Sequence, residues 1–105
     1  MAAVTLVLDA SAVRITLGAA NVAQEVIFPA NARRYRRNFV TDNGKIATSG
    51  TDGAAIGTDY ETAYANSPVE DDVPWCVGRG RNLAGGKLYF ATAAGSTVLE
   101  IRCYS

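Results

Sequence analysis

The chain has 105 residues and ten cationic against ten anionic side chains, with no histidine. That length predicts one domain, and neutrality excludes both a strongly basic nucleic-acid binder and an acidic disordered tail. Hydrophobic residues make up 49%, but 18 of these residues are alanine, so the expected core is a thin two-layer packing without a deep pocket.

Alternation of period two recurs along the chain and predicts strands. At the N-terminus Val4, Leu6 and Leu8 alternate with Thr5 and Val7, which predicts a strand covered on both faces. The same stretch has no basic flank and too short an apolar run for a signal peptide or a membrane span. Val13, Ile15 and Leu17 then share one face, and Gly18–Gln24 reads as a loop or a single helical turn. Glu25–Phe28 is a short apolar run that stops at Pro29. A strand from about Tyr35 to Thr41 places Tyr35, Arg37 and Phe39 on one side, with Arg37 at a wet end or paired with an acid.

Asp42-Asn-Gly44 predicts a hairpin turn with positive φ, joining that strand to Lys45–Thr48. Ser49–Gly53 is a second glycine-rich turn, and Tyr60–Ala65 is a short helix or an edge strand. Pro68 and Pro74 bracket Val69–Val73, which predicts an edge strand or loop, because proline removes a ladder donor. Ala84-Gly-Gly86 leads into a strand in which Leu88 and Phe90 alternate with Lys87 and Tyr89. Ala94-Gly-Ser96 leads into a last strand with Leu99, Ile101 and Cys103 on one face. One turn per ten residues or so fits an all-β single domain over residues 1–105, a compact antiparallel β-sandwich or jelly-roll-like barrel.

Charge is unevenly placed. Ile46–Gly78 carries Asp52, Asp59, Glu61, Glu70, Asp71 and Asp72 and no base, whereas the bases concentrate at Arg33, Arg34, Arg36 and Arg37. Segregation of this kind predicts complementary patches that dock on copies of the chain or on a larger partner, setting register and specificity. Arg33, Arg34, Arg36 and Arg37 are the expected contacts on one side, and Glu70, Asp71 and Asp72 on the other. Trp75, the sole tryptophan, is the expected apolar anchor.

Sharper chemistry finds less support. Arg33-Arg-Tyr-Arg-Arg37 has the look of a nucleic-acid site, but an inward Tyr35 and overall neutrality argue against nucleic acid as a partner. Glu70-Asp-Asp72 lacks the spacing of a calcium loop, so no metal is expected. Gly78-Arg-Gly-Arg81 lacks the helix and the Lys-Ser/Thr of a phosphate loop. Without histidine, Ser-His-Asp and Cys-His pairs are excluded, and neither Cys76 nor Cys103 has an evident activating base. These residues predict a protein that is not an enzyme, carries no cofactor and keeps two reduced thiols packed as small hydrophobes.

The stretches Arg14–Gln24, Phe28–Arg33, Ala47–Tyr60 and Ala91–Ile101, rich in Ala, Gly and Thr, resemble small virion proteins of tailed bacteriophages. The resemblance implies a compact β-sandwich that serves as a capsid decoration (cement) protein. Its partners would be the major capsid protein or other virion proteins together with copies of itself, and no membrane. Its place would be the virion, assembled in the host cytoplasm. A tail- or fibre-associated oligomer and a carbohydrate-binding module are the rival expectations; the latter calls for an exposed row of aromatic rings.

Overall fold

A computed structural model describes residues 3–72 and 86–105. Nine strands account for its regular structure: β1 (Val4–Thr5), β2 (Val13–Leu17), β3 (Gln24–Phe28), β4 (Arg34–Val40), β5 (Gly44–Ala47), β6 (Glu61–Ala63), β7 (Val69–Asp72), β8 (Gly86–Thr92) and β9 (Thr97–Tyr104). They form a five-stranded sheet, β1-β3-β8-β5-β6, and a four-stranded sheet, β2-β9-β4-β7.

The strand order has a simple origin. β2 pairs antiparallel with β9, β3 with β8, β4 with β7 and β5 with β6. The second half of the chain thus runs back along the first as one long hairpin. Rolling that hairpin up brings β4 beside β9 and β5 beside β8, which divides its four strand pairs between two sheets. This is the jelly-roll form of the all-β sandwich. β1 extends the five-stranded sheet by pairing parallel with β3.

The alternating residues do the packing. Ile15 and Leu17 of β2, Tyr35 and Phe39 of β4, and Leu99, Ile101 and Cys103 of β9 turn inward against Val26, Phe28, Leu88 and Phe90 of the opposite sheet. Four rings link the layers: the Phe28 and Tyr35 centroids lie 5.5 Å apart, Tyr35 and Phe90 6.5 Å, and Phe39 and Phe90 6.3 Å. A second, smaller cluster of Ala23, Ala47, Ile56, Tyr89 and Ala91 sits on the other face of the five-stranded sheet. There the 50–56 segment lies over β5 and β8, pinned where the Glu25 N–H donates to Asp52 Oδ1 at 2.8 Å. Tyr89 is buried for this reason, although it alternates with the core residues Leu88 and Phe90.

Several local expectations are corrected. Asp42–Gly44 is not a hairpin: β4 and β5 belong to different sheets, so the segment is an arch between layers. The positive φ falls on Thr41 (90°). Glycine is needed at position 44 for a different reason, since a Cβ there would lie 2.1 Å from Cε2 of Phe39. Gly18–Gln24 forms no helical turn; Asn21 takes a φ of 63° and its N–H donates to the Thr92 carbonyl at 2.8 Å. Tyr60–Ala65 contains the edge strand β6. The N-terminal strand is covered on one face only, with Val7 68% exposed. After β1 the chain crosses to the other sheet, where Leu8 bridges Cys103. Cys103 is a buried free thiol, and burial, with Asp9 nearby, pushes its pKa up. Cys76, Arg79, Arg81 and the anchor candidate Trp75 lie outside the described residues.

Candidate docking groove between the edge strands

The acidic strand β7 and the arginine strand β4 are partners within the chain. Register sets Arg34 opposite Asp72, Tyr35 opposite Asp71, Arg36 opposite Glu70 and Arg37 opposite Val69. Since successive side chains face opposite ways, this register sorts the predicted contacts into two groups.

Arg34, Arg36 and Glu70 belong to the outer face of the four-stranded sheet. Arg34 Nη1 lies 3.4 Å from Glu70 Oε1. On the same face Arg14 pairs with Glu100, Asn38 donates to Glu100 at 2.9 Å, and the Arg102 guanidinium stacks 4.7 Å from the Tyr104 centroid. Arg36 stands opposite Arg102 on β9. Arg33 precedes β4, exposed, with its N–H bonded to the Tyr104 carbonyl at 2.8 Å. Asp72 is placed by its backbone opposite Arg34.

Arg37 and Asp71 belong to the inner group. Arg37 is 4% exposed and so offers no guanidinium to an outside partner, which removes it from the predicted contact set. It lies on the core side of β4 between Tyr35 and Phe39, at the open side of the sandwich. Its Nη1 donates to the Tyr35 hydroxyl at 3.2 Å and lies 3.5 Å from Asp71 Oδ2, and its Nη2 lies 3.3 Å from Glu61 Oε1. Its Nε is buried and has no hydrogen-bond partner among the described residues. The Tyr35 phenol has its pKa raised, chiefly by burial and against the opposing pull of Arg37.

Around this bridge the two sheets part. Among the described residues, β6 ends the five-stranded sheet and β7 ends the four-stranded one. Between them open two cavities with Glu61 and Asp71 as a shared wall. One, of about 310 Å³, is floored by Phe39 and Ala63 and walled by Tyr64, Ser67 and Val69. The other, of about 300 Å³, reaches Tyr35, Ile46 and Leu88 and ends at Asp59 and Tyr60. The core is packed between two layers, as composition predicts, and its open side forms a groove with an apolar floor and an acidic waist. Tyr64 and Val69 are 68% and 39% exposed, and Tyr60, 40% exposed, is steadied by the Lys45 ammonium 4.7 Å from its centroid.

The predicted contacts Arg34, Glu70 and Asp71 thus meet within the molecule, and Trp75 lies outside the described residues. Sequence reasoning singled out neither Glu61 nor Phe39, Tyr64 or Val69 for the site. Glu61 was visible in the acidic segment, but only the β5–β6 register aims it across the opening toward β7. Compared with known proteins, the chain matches no family model, no curated protein and no solved structure.

Proposed function

We propose that this chain is a non-enzymatic structural module that binds protein surfaces, of the kind that decorates and stabilises an assembled bacteriophage head. The observation that carries the docking part is the groove between β6 and β7, where one buried arginine serves two carboxylates above an apolar floor. Glu61 and Asp71 are open to water, at 65% and 52% exposure of their side chains, a setting for meeting a cation on a partner. Jelly rolls serve viral capsids, lectins and cupins alike, so the fold favours the virion reading only by analogy. The Ala/Gly/Thr-rich stretches carry that part.

The mechanism is mass action. A module that binds only the assembled shell stabilises the shell by an amount set by free concentration over Kd. A second reading, glycan binding, is favoured by Tyr60 and Tyr64, exposed at the two ends of β6. A tail- or fibre-associated oligomer is a third.

Light scattering and co-sedimentation with empty phage-like capsids test the proposal. Saturable co-sedimentation, with shells that resist heating better when loaded, is the expected result. A tight trimer that ignores capsids would shift the assignment to a tail or fibre module. Failure to bind shells or to self-associate, with retention on a glycan array, would replace it by carbohydrate recognition.

A further inference from the structure

Among the described residues the groove is bordered by the edge strand β7, and the side chains along that edge define what fits. Among the described residues, β7 pairs with β4 on one side and ends its sheet on the other. Unpaired edges recruit strands, and proteins blunt them with short length and charge. β7 has four residues, and three of them are Glu70, Asp71 and Asp72. Like charges placed directly opposite one another repel, so two copies of this chain gain nothing by joining their β7 edges. A cationic strand would meet the opposite situation. Glu70 and Asp71 stand on the edge strand itself, with the guanidinium groups of Arg34 and Arg37 one strand further in at 3.4 and 3.5 Å, and Glu61 faces them from β6, 3.3 Å from Arg37.

We propose that β7 receives an extended basic segment of a partner protein by parallel strand addition, with a consecutive pair of Lys or Arg residues following one large apolar residue. Alternation and the parallel direction together fix the pattern. The residue opposite Val69 faces the groove and fills the cavity over Phe39 and Ala63. Its neighbour, opposite Glu70, lies on the outer face and meets that carboxylate. The next residue, opposite Asp71, faces inward again and places its cation between Asp71 and Glu61. Apolar burial and main-chain hydrogen bonds supply affinity, while the two cations select register. The inference rests on the docking reading only in taking the occupant to be protein; it does not require that protein to be a shell subunit.

The probe is the blocked, fluorescein-labelled peptide Thr-Thr-Leu-Lys-Arg-Thr-Thr, with Thr-Thr-Leu-Glu-Glu-Thr-Thr as its charge-reversed control, and no capsid present. Anisotropy should show saturable binding of the first that weakens with added salt, and at least about ten-fold weaker binding of the second. Amide NMR shifts should centre on residues 61–63 and 69–72. Glu70→Gln and Asp71→Asn should each weaken binding about two- to five-fold, with melting curves confirming that both variants fold; the peptide pair tests the charge preference without any variant. Equal binding of both peptides, or no shift at 69–72 with the basic peptide at millimolar concentration, overturns the proposal. So does a response of Tyr60 and Tyr64 to a linear glucan in place of the peptide. Shell binding that survives both variants unchanged overturns the strand-addition site and leaves the shell reading standing. Peptide binding without shell binding does the reverse.

Discussion

Replacing Glu61 and Asp71 together by Gln and Asn strips a buried guanidinium of its counter-charges, whereas Arg37→Met leaves two carboxylates that water already reaches. The arginine side chain is 5% exposed, against 65% and 52% for the acids, so the two perturbations have very different costs. At about 3.4 Å each ion pair is worth about 1 kcal/mol in bulk water and about 5 kcal/mol at an effective dielectric of 20. Breaking a fully buried pair costs about 3–5 kcal/mol, and exposure of the acids lowers this to about 2–3 kcal/mol for the double acid variant. Arg37→Met exchanges the charge for an apolar chain of similar length, which for buried pairs comes out within about 1 kcal/mol of neutral. Adding Arg37→Met to the double acid variant should then restore most of the loss. Urea unfolding followed by circular dichroism measures all four proteins. For a domain of about 100 residues each kcal/mol moves Tm by roughly 4–5 °C, so the double acid variant should melt about 8–15 °C lower. Arg37→Met costing more than the double acid variant would refute the reasoning and make the guanidinium itself the stabilising element.

Other consequences follow from particular contacts. Gly44→Ala drives a methyl group to 2.1 Å from the Phe39 ring, where about 3.5–4.0 Å is comfortable. It should cost about 2–3 kcal/mol, and less in a Phe39→Leu background, so additivity within about 0.5 kcal/mol in the double-mutant cycle contradicts the close approach. Cys103 and Tyr35 have pKa values raised by burial above their ordinary 9.0 and 10.0. The unfolded chain releases these protons first, so stability is full below about pH 9 and falls as pH rises through the folded-state values. Cys103→Ala should move the onset of that decline in Tm toward pH 10; an unchanged onset would exclude the thiol as its cause. Asp52→Ala removes the bond that pins the 50–56 segment and should raise amide exchange of Glu25 and residues 54–56 about five-fold, for about 1 kcal/mol lost locally. Equal protection in the variant would show that Ile56 alone holds the segment.

The strand faces were legible because alternation and burial share a period of two. Ile15 and Leu17, Leu88 and Phe90, and Leu99, Ile101 and Cys103 are buried in that pattern. The layering was not legible at Asp42–Gly44, where an arch and a hairpin draw on the same residue types. What distinguishes them is which strand pairs with β4, and that is decided by β7 and β9, distant in sequence. The charge segregation was visible as composition, but its meaning depended on register. Once β7 lies beside β4, Arg34 and Arg37 face acids of their own chain, and an apparent intermolecular pairing becomes largely internal. The groove was hidden for the same reason: Phe39, Glu61, Tyr64 and Val69 come from separate stretches that converge only where the sheets part.

Hydrogen exchange of the protein, free and bound to empty phage-like capsids, bears most directly on the central claim that docking uses the β6–β7 side. Slowed exchange on binding should concentrate at residues 61–63 and 69–72, where an added strand takes up the open backbone edge. Protection confined to β2 and the outer face of β9, with 69–72 unchanged, would contradict it.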